Sequence, residues 1–174
     1  TSLLKRAQRE GTPLIDGETA TFVWAGENPP QLIGDFTDWD WGESGPRTLT
    51  EAEPGVWTYS MTLPRDAYIE YIYVRGEDRQ PDPFNKRRIT NGMGKMNTYF
   101  SMPDCKHTDL VKPAPGVQAG TVTQHQIKGA ITIANGSRPV YLYKPPTDEP
   151  VPLLFVLDGK DYFTRAKLPI IVDN

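Results

Sequence analysis

The stretch Val56-Trp57-Thr58-Tyr59-Ser60-Met61-Thr62-Leu63 alternates without interruption, setting Trp57, Tyr59 and Met61 against Val56, Thr58 and Ser60. Side chains of an extended chain point to opposite faces with a period of two, so this pattern specifies a strand with one face on a core. Working outward, Thr19 to Trp24 repeats it, with Ala20, Phe22 and Trp24 on a shared face. Gln31 to Ile33 is a short strand running into Gly34, Ile69 to Val74 is rich in aromatic and β-branched residues, and Asn97 to Met102 closes the set. Short strands about ten residues apart, with turn residues between them, specify an antiparallel β-sandwich. The sandwich is expected over residues 16–103, with Trp24, Trp57, Tyr59 and Tyr73 in its core, and the chain is expected to be mainly β. Residues 1–15 form an N-terminal extension in which Leu3, Leu4 and Ala7 suit one short amphipathic helix.

The composition changes at Asp104. Residues 104–116 are rich in Lys, Pro, Asp and Gly and end in Pro113-Ala114-Pro115-Gly116, a stiff and partly extended linker. Beyond it, Thr121 to Ile127 and Pro139 to Tyr143 read as strands, separated by the turn-rich Asn135-Gly136-Ser137-Arg138. The proline-rich loop Lys144 to Pro150 cannot be a central strand, because proline cannot donate to a ladder. The run Leu153-Leu154-Phe155-Val156-Leu157 is apolar at every position, which fits a strand buried on both faces inside a parallel sheet. It ends in the sharp turn Asp158-Gly159. A helix is expected over Tyr162 to Val172, kinked or delayed by Pro169. A parallel sheet needs more strands than the residues up to Asn174 supply, so residues 117–174 are expected to be the truncated front of a larger domain. Leu153 to Leu157 is then expected to be covered by another chain, as in a homo-oligomer or an intermolecular sheet, or by the rest of a longer polypeptide.

Composition excludes several functions. The formal net charge of −3 leaves no broad basic field, which argues against nucleic acid and anionic membrane as partners. The single Cys105 excludes an internal disulfide. Two histidines and one cysteine at scattered positions match no structural zinc spacing, and no cofactor is expected. No run approaches the ~20 apolar residues of a membrane span and no signal peptide is visible, so the expected compartment is the cytoplasm. The first residue is Thr1 rather than Met, so a removed leader stays open.

The segment Gly34-Asp35-Phe36-Thr37-Asp38-Trp39 is a turn with aromatic anchors: Gly34 permits a tight exit from the strand, and Asp35 and Asp38 suit bonds to the turn's own N–H groups. After it come Gly55-Val56-Trp57, Tyr71-Ile72-Tyr73-Val74, the turn Pro81-Asp82-Pro83 and Asn97. That series resembles the immunoglobulin-like early-set domain of the glycogen-binding type. Such domains occur in starch-branching enzymes, in the β subunit of AMP-activated kinase and at the N-terminus of enterochelin (ferric-enterobactin) esterases. In sugar-binding members two tryptophans stack on glucose rings, with a lysine and an asparagine adding hydrogen bonds. The resemblance implies Trp39 as the first tryptophan and Asn97 as the asparagine. The second tryptophan falls where this chain has Arg79-Gln80, and the lysine position holds Tyr71. Losing half of the stacking platform weighs against independent glycogen binding. Arg87 and Arg88, in the basic run after Asn85, either face an anionic ligand or lie in a solvated loop, and the sequence leaves both open.

From Gly120 onward the chain resembles the esterase-D type of α/β-hydrolase, the catalytic part of enterochelin and feruloyl esterases. The matching pieces are Gly120 to Lys128, Arg138 to Pro146 and Pro152 to Tyr162. The resemblance implies that the turn after the apolar run gives a backbone N–H, from Gly159 or Lys160, to an oxyanion hole. The serine nucleophile of that class sits in a Gly-x-Ser-x-Gly elbow, and none of Ser2, Ser44, Ser60, Ser101 and Ser137 lies in one. The expected function is therefore the N-terminal portion of a carboxylic-ester hydrolase, inactive by itself. Its sandwich would pack on the catalytic domain and shape a pocket for a siderophore, feruloyl or other acyl ester. The alternative is a carbohydrate-binding module of the glycogen or starch type.

Overall fold

The structure, a computed structural model, describes residues 2–40, 43–129 and 136–174. Thr1 of the extension and Asn135 of the expected turn lie outside them. The chain forms two compact units, Thr1–Lys106 and His107–Asn174. It is mainly β, with 38% of residues in strands against 18% in helices.

The first unit begins with α1 (Leu3–Glu10), β1 (Leu14–Asp16), β2 (Thr19–Ala25) and β3 (Gln31–Gly34), followed by a 3-10 turn over Asp35–Asp40. Then come β4 (Arg47–Thr48), β5 (Thr50–Glu53), β6 (Val56–Thr62), β7 (Tyr68–Arg75), β8 (Asp78–Gln80), β9 (Arg88–Thr90) and β10 (Met96–Ser101). One antiparallel sheet has the order β1-β2-β6-β5 and the other β4-β3-β7-β10-β9, with β8 also paired to β7. The two sheets pack as a β-sandwich. Phe22 of β2 meets Tyr71 of β7 and Phe100 of β10 edge-on, with ring centroids 4.9 and 5.7 Å apart. Leu32, Tyr73 and Met102 complete a buried centre in which each ring removed from water contributes roughly 1.5–3 kcal/mol.

Of the expected core residues, Tyr73 is fully buried. Trp24, Trp57 and Tyr59 pack against the centre but remain half-buried. The Trp57 indole reaches the margin of the sheet, where Nε1 donates to the Gly26 carbonyl at 3.0 Å. The amphipathic helix expected from Leu3, Leu4 and Ala7 is α1, which starts at Ser2, whose Oγ accepts from Lys5 N–H. Ala7 is buried with Leu14, Val23 and Val56. Helix α1 therefore covers the outer face of the four-stranded sheet, which is why β2 is buried on both sides at Val23.

The second unit holds a 3-10 turn at Asp109–Val111, the strands β11 (Thr121–Lys128) and β12 (Ser137–Lys144), and helices α2 (Gly159–Thr164) and α3 (Leu168–Asp173). β11 and β12 pair antiparallel from Thr121 opposite Lys144 to Lys128 opposite Ser137. Tyr141 stacks on Phe163, with centroids 5.7 Å apart. Asp173 accepts from the Tyr143 hydroxyl at 2.5 Å and from Gly120 N–H at 2.8 Å. Burial and that carboxylate push the Tyr143 hydroxyl pKa up to about 12.

Two expectations about this unit are corrected. Leu153 to Leu157 is not a strand here: β11 and β12 pair with each other, and no described strand pairs with the run. Apart from the half-buried Val156 its side chains face solvent, with Leu153 76%, Phe155 85% and Leu157 87% exposed. The single helix expected over Tyr162 to Val172 is divided into α2 and α3. Proline sits in the first turn of α3, where its missing N–H costs nothing. No described helix is long and apolar enough to cross a membrane.

Candidate functional site

Strand β3 ends at Gly34, whose lack of a side chain the packing demands. A β-carbon there would lie 2.4 Å from the Glu70 carbonyl oxygen and 2.9 Å from Tyr71 Cβ. The turn that follows is closed by the buried Thr37, whose Oγ1 accepts from Gly34 N–H and donates to Gly34 C=O, both at 3.0 Å. Asp35 bonds a neighbouring strand and a side chain rather than the turn's own backbone N–H groups. Its Oδ2 accepts from Glu70 N–H of β7 at 2.8 Å and its Oδ1 from the Trp39 indole N–H at 2.9 Å. The turn sends its two rings to opposite faces of the six-stranded sheet. Phe36 joins the core against Phe22, whereas Trp39 lies on the outer face with Ile33, Ile72 and Val74.

The alternation of β7 decides what else reaches that outer face. Tyr71 and Tyr73 point into the core, so Glu70, Ile72 and Val74 point out. Tyr71 therefore cannot stand in for the lysine of the sugar-binding members. Its hydroxyl instead donates to the buried Asp82 at 2.8 Å. Arg79 is paired with Val74 across β7 and β8, and partners in an antiparallel ladder share a face, so Arg79 rises beside Trp39. Asn97 of β10 is buried, and its Nδ2 donates to Glu70 Oε2 at 3.0 Å. Asn91 Nδ2 reaches Asn97 Oδ1 at 3.4 Å, and Asn91 Oδ1 accepts from Met93 N–H at 3.1 Å and Lys95 N–H at 2.9 Å. The Asn91 side chain thereby fixes the β9–β10 turn that carries Lys95.

These elements enclose an open depression of about 600 Å³ lined by Asp38, Trp39, Arg79, Asn91, Met93, Lys95 and Asn97. The two residues carried over from the glycogen-binding type, Trp39 and Asn97, thus lie in one site. Asp38, Arg79, Asn91 and Lys95 were not singled out as ligand-binding from the sequence. The signal for Arg79 was its place at the missing tryptophan, and for Lys95 the Asn91-Gly92-Met93-Gly94 turn before it.

Arg87 and Arg88 lie elsewhere. Arg88 turns inward and donates to the carbonyls of Asp82 at 2.8 Å, Arg87 at 3.1 Å and Asn85. Arg87 is exposed, with Nε 3.3 Å from Asn85 Oδ1. Their loop is built on Asp82, which accepts from Thr12 Oγ1 at 2.7 Å, from Tyr71 and from Phe84 N–H at 2.8 Å. Burial raises the Asp82 carboxyl above the usual carboxylate range, opposed by the hydrogen bonds from Thr12, Tyr71 and Phe84.

In the second unit, Gly159 and Lys160 open α2, after Asp158 in the left-handed region at φ 53°. A cavity of about 380 Å³ next to this turn is lined by residues 154–158, Tyr162 and Leu168. His125 lies mid-strand, with Nε2 2.9 Å from Thr123 Oγ1.

No model of a known protein family matches the sequence, and no curated protein matches it. Solved structures do match. Ferric enterobactin esterase from Salmonella typhimurium aligns with a TM-score of 0.61 at 16% identity, over 89% of this chain and 49% of its own. The enterobactin esterase of Shigella flexneri, solved in the presence of enterobactin, aligns with a TM-score of 0.58 at 18% identity, over 92% of this chain and 49% of its own. The same enzyme in the presence of 2,3-di-hydroxy-N-benzoyl-serine gives a TM-score of 0.55 at 16% identity, with the same coverage. The chain spans about half the length of these proteins. At the level of fold, then, the resemblance to enterochelin esterases read from the sequence holds: this chain is folded like about half of an enterobactin esterase.

Proposed function

We propose that this chain is the N-terminal portion of a carboxylic-ester hydrolase of the enterochelin-esterase type. Residues 16–103 are its early-set sandwich, 104–116 its linker and 117–174 the opening of its α/β-hydrolase domain. The observation that supports this most is the reach of the structural likeness, which covers about nine-tenths of this chain and extends past the sandwich into the β11–β12 unit. The exposed apolar run Leu153 to Leu157 supports it too, since its composition suits a strand enclosed by neighbours. In the complete enzyme the backbone N–H of Gly159 or Lys160 serves the oxyanion, and the sandwich packs on the catalytic domain and shapes the acyl pocket. The substrate class is a siderophore, feruloyl or other acyl ester, handled in the cytoplasm.

The reading makes this chain inert alone, because an acyl-enzyme needs a nucleophile in an elbow. The 174-residue chain should hydrolyse p-nitrophenyl acetate and butyrate no faster than buffer. Turnover that disappeared on replacing one of Ser2, Ser44, Ser60, Ser101 or Ser137 would overturn it. The glycan-binding alternative has Trp39 and Asn97 in its favour and Arg79, in place of a second ring, against it. Retention of the chain on amylose would revive it.

A further inference from the structure

We propose that the depression on the outer face of the six-stranded sheet binds a small ligand made of a flat ring bearing one carboxylate, the ring lying on Trp39 and the carboxylate meeting Arg79 and Lys95. The proposal concerns the sandwich alone and does not rest on the ester-hydrolase reading.

The platform is prepared in advance. Asp38, Trp39 and Asp40 hold φ of 50°, 55° and 69°, three successive non-glycine residues in the left-handed region. Such backbone is unfavourable and persists where surrounding contacts over-determine it. Here those contacts are the Asp35 bond to the indole N–H, the Asp35 bond to β7, and the bed of Ile33, Ile72 and Val74. With its N–H already bonded, the indole has only its ring surface to offer, which suits stacking with another flat ring.

The charges around that ring are unspent. Among the described residues neither the Arg79 guanidinium nor the Lys95 ammonium has an ion-pair partner. The ladder to Val74 fixes where Arg79 leaves the sheet, and Asn91 fixes the turn that carries Lys95. A planar guanidinium beside an aromatic face matches a carboxylate held in the plane of a ring. The nearby carboxylates weigh against a highly charged anion: Asp38 lines the depression, and Glu70 lies behind Asn97. A phosphate or polyanion would meet these two carboxylates, whereas a neutral glucan would leave both cations without a function. The volume of about 600 Å³ suits one substituted ring.

The test is a titration of the 15N-labelled 174-residue chain by NMR, using 2,3-dihydroxybenzoate as the probe. Catechol supplies the ring alone, acetate the carboxylate alone, and maltoheptaose a neutral glucan. The expected result is saturable shifts at the Trp39 indole N–H and the Asn97 side-chain amide with 2,3-dihydroxybenzoate. Catechol and acetate should bind about tenfold more weakly, a difference of about 1.4 kcal/mol. Arg79→Gln and Lys95→Gln should each weaken the aryl carboxylate about tenfold, and Arg79→Lys should restore part of the loss. Both positions are exposed, and an unchanged spectrum away from the depression reports that the fold is intact. Absence of saturable shifts at Trp39, binding indifferent to both substitutions in a folded chain, or maltoheptaose binding more tightly than the aryl carboxylate would each overturn the proposal.

Discussion

The two units of this chain use similar strands to opposite effect. In the first, β2 and β6 pair over seven residues, and their inward rings meet Tyr71, Tyr73 and Phe100 from a second sheet. In the second, β11 and β12 pair over eight residues, yet both strands carry mostly exposed side chains. Every buried hydrophobic residue among the described ones lies between Ala7 and Met102. The most apolar run of the chain, Leu153 to Leu157, stands in solvent. Apolar content therefore does not make a core: a strand is buried only when a second layer is available to face it. An alternating strand needs one such layer, and a strand apolar on both sides needs two.

The largest test of that contrast removes a ring from the layered unit. Phe22→Ala deletes the side chain that touches Phe36, Tyr71 and Phe100 and should cost ~3–5 kcal/mol. A domain of this size has little more to lose, so the thermal transition of the sandwich should move to near-ambient temperature or vanish. Trp57→Ala, at a half-buried position, should cost about half as much. Equal losses at the two positions would mean that Trp57 holds the core as firmly as Phe22.

A smaller effect comes from the buried polar network. Asp82→Ala strands the Thr12 and Tyr71 hydroxyls and the Phe84 N–H, and should cost about 2–3 kcal/mol. Asp82→Asn should cost less, because the hydroxyls can rotate to accept from its amide. Burial holds the Asp82 carboxyl above its ordinary value of 3.8, so the folded state takes up this proton more readily than the unfolded one. Its contribution to stability is full below 3.8 and is lost as pH rises through the folded pKa. The Tm advantage of the native chain over Asp82→Asn should therefore grow as pH falls from neutrality toward about 4. An advantage that shrank with acidification would mean that the native site stabilises the carboxylate instead.

The same contrast explains what the sequence could say. The longer strands were legible, because Ala20-Thr21-Phe22-Val23-Trp24 and Tyr71-Ile72-Tyr73-Val74 carry their pattern within themselves. The short edge strands were not: Thr50-Glu51-Ala52-Glu53 pairs with β6 across a register shift, and nothing in its composition marks a strand. Trp39 and Asn97 were legible as a pair through the order of motifs. Arg79 and Lys95 were not, because only the β7–β8 register and the Asn91 turn bring them to the same face. The inward direction of Tyr71 was set in the same way by its place on β7, because a one-residue step along a strand exchanges the two faces. The run Leu153 to Leu157 read as a buried strand because its composition records the layers it suits, and no described strand supplies them.

The smallest expected effect on stability lies in that run, and it sharpens the comparison most. Leu154, at 67% exposure, and Phe155, at 85%, contribute little burial in this chain. Replacing both by Asp should leave the thermal transition of the sandwich within ~0.5 kcal/mol of its original position, the usual range for exposed sites. The change should appear in solution behaviour instead. An unpaired apolar segment is a site for pairing between chains, and inward-pointing charge is the usual means of blocking it. Sedimentation velocity at rising concentration should show the native chain self-associating and the double-Asp variant remaining monomeric. A native chain that stayed monomeric throughout would mean that the run is shielded without a second layer. A variant whose sandwich melted several degrees lower would mean that these side chains already support the core, and the contrast between the two units would fall.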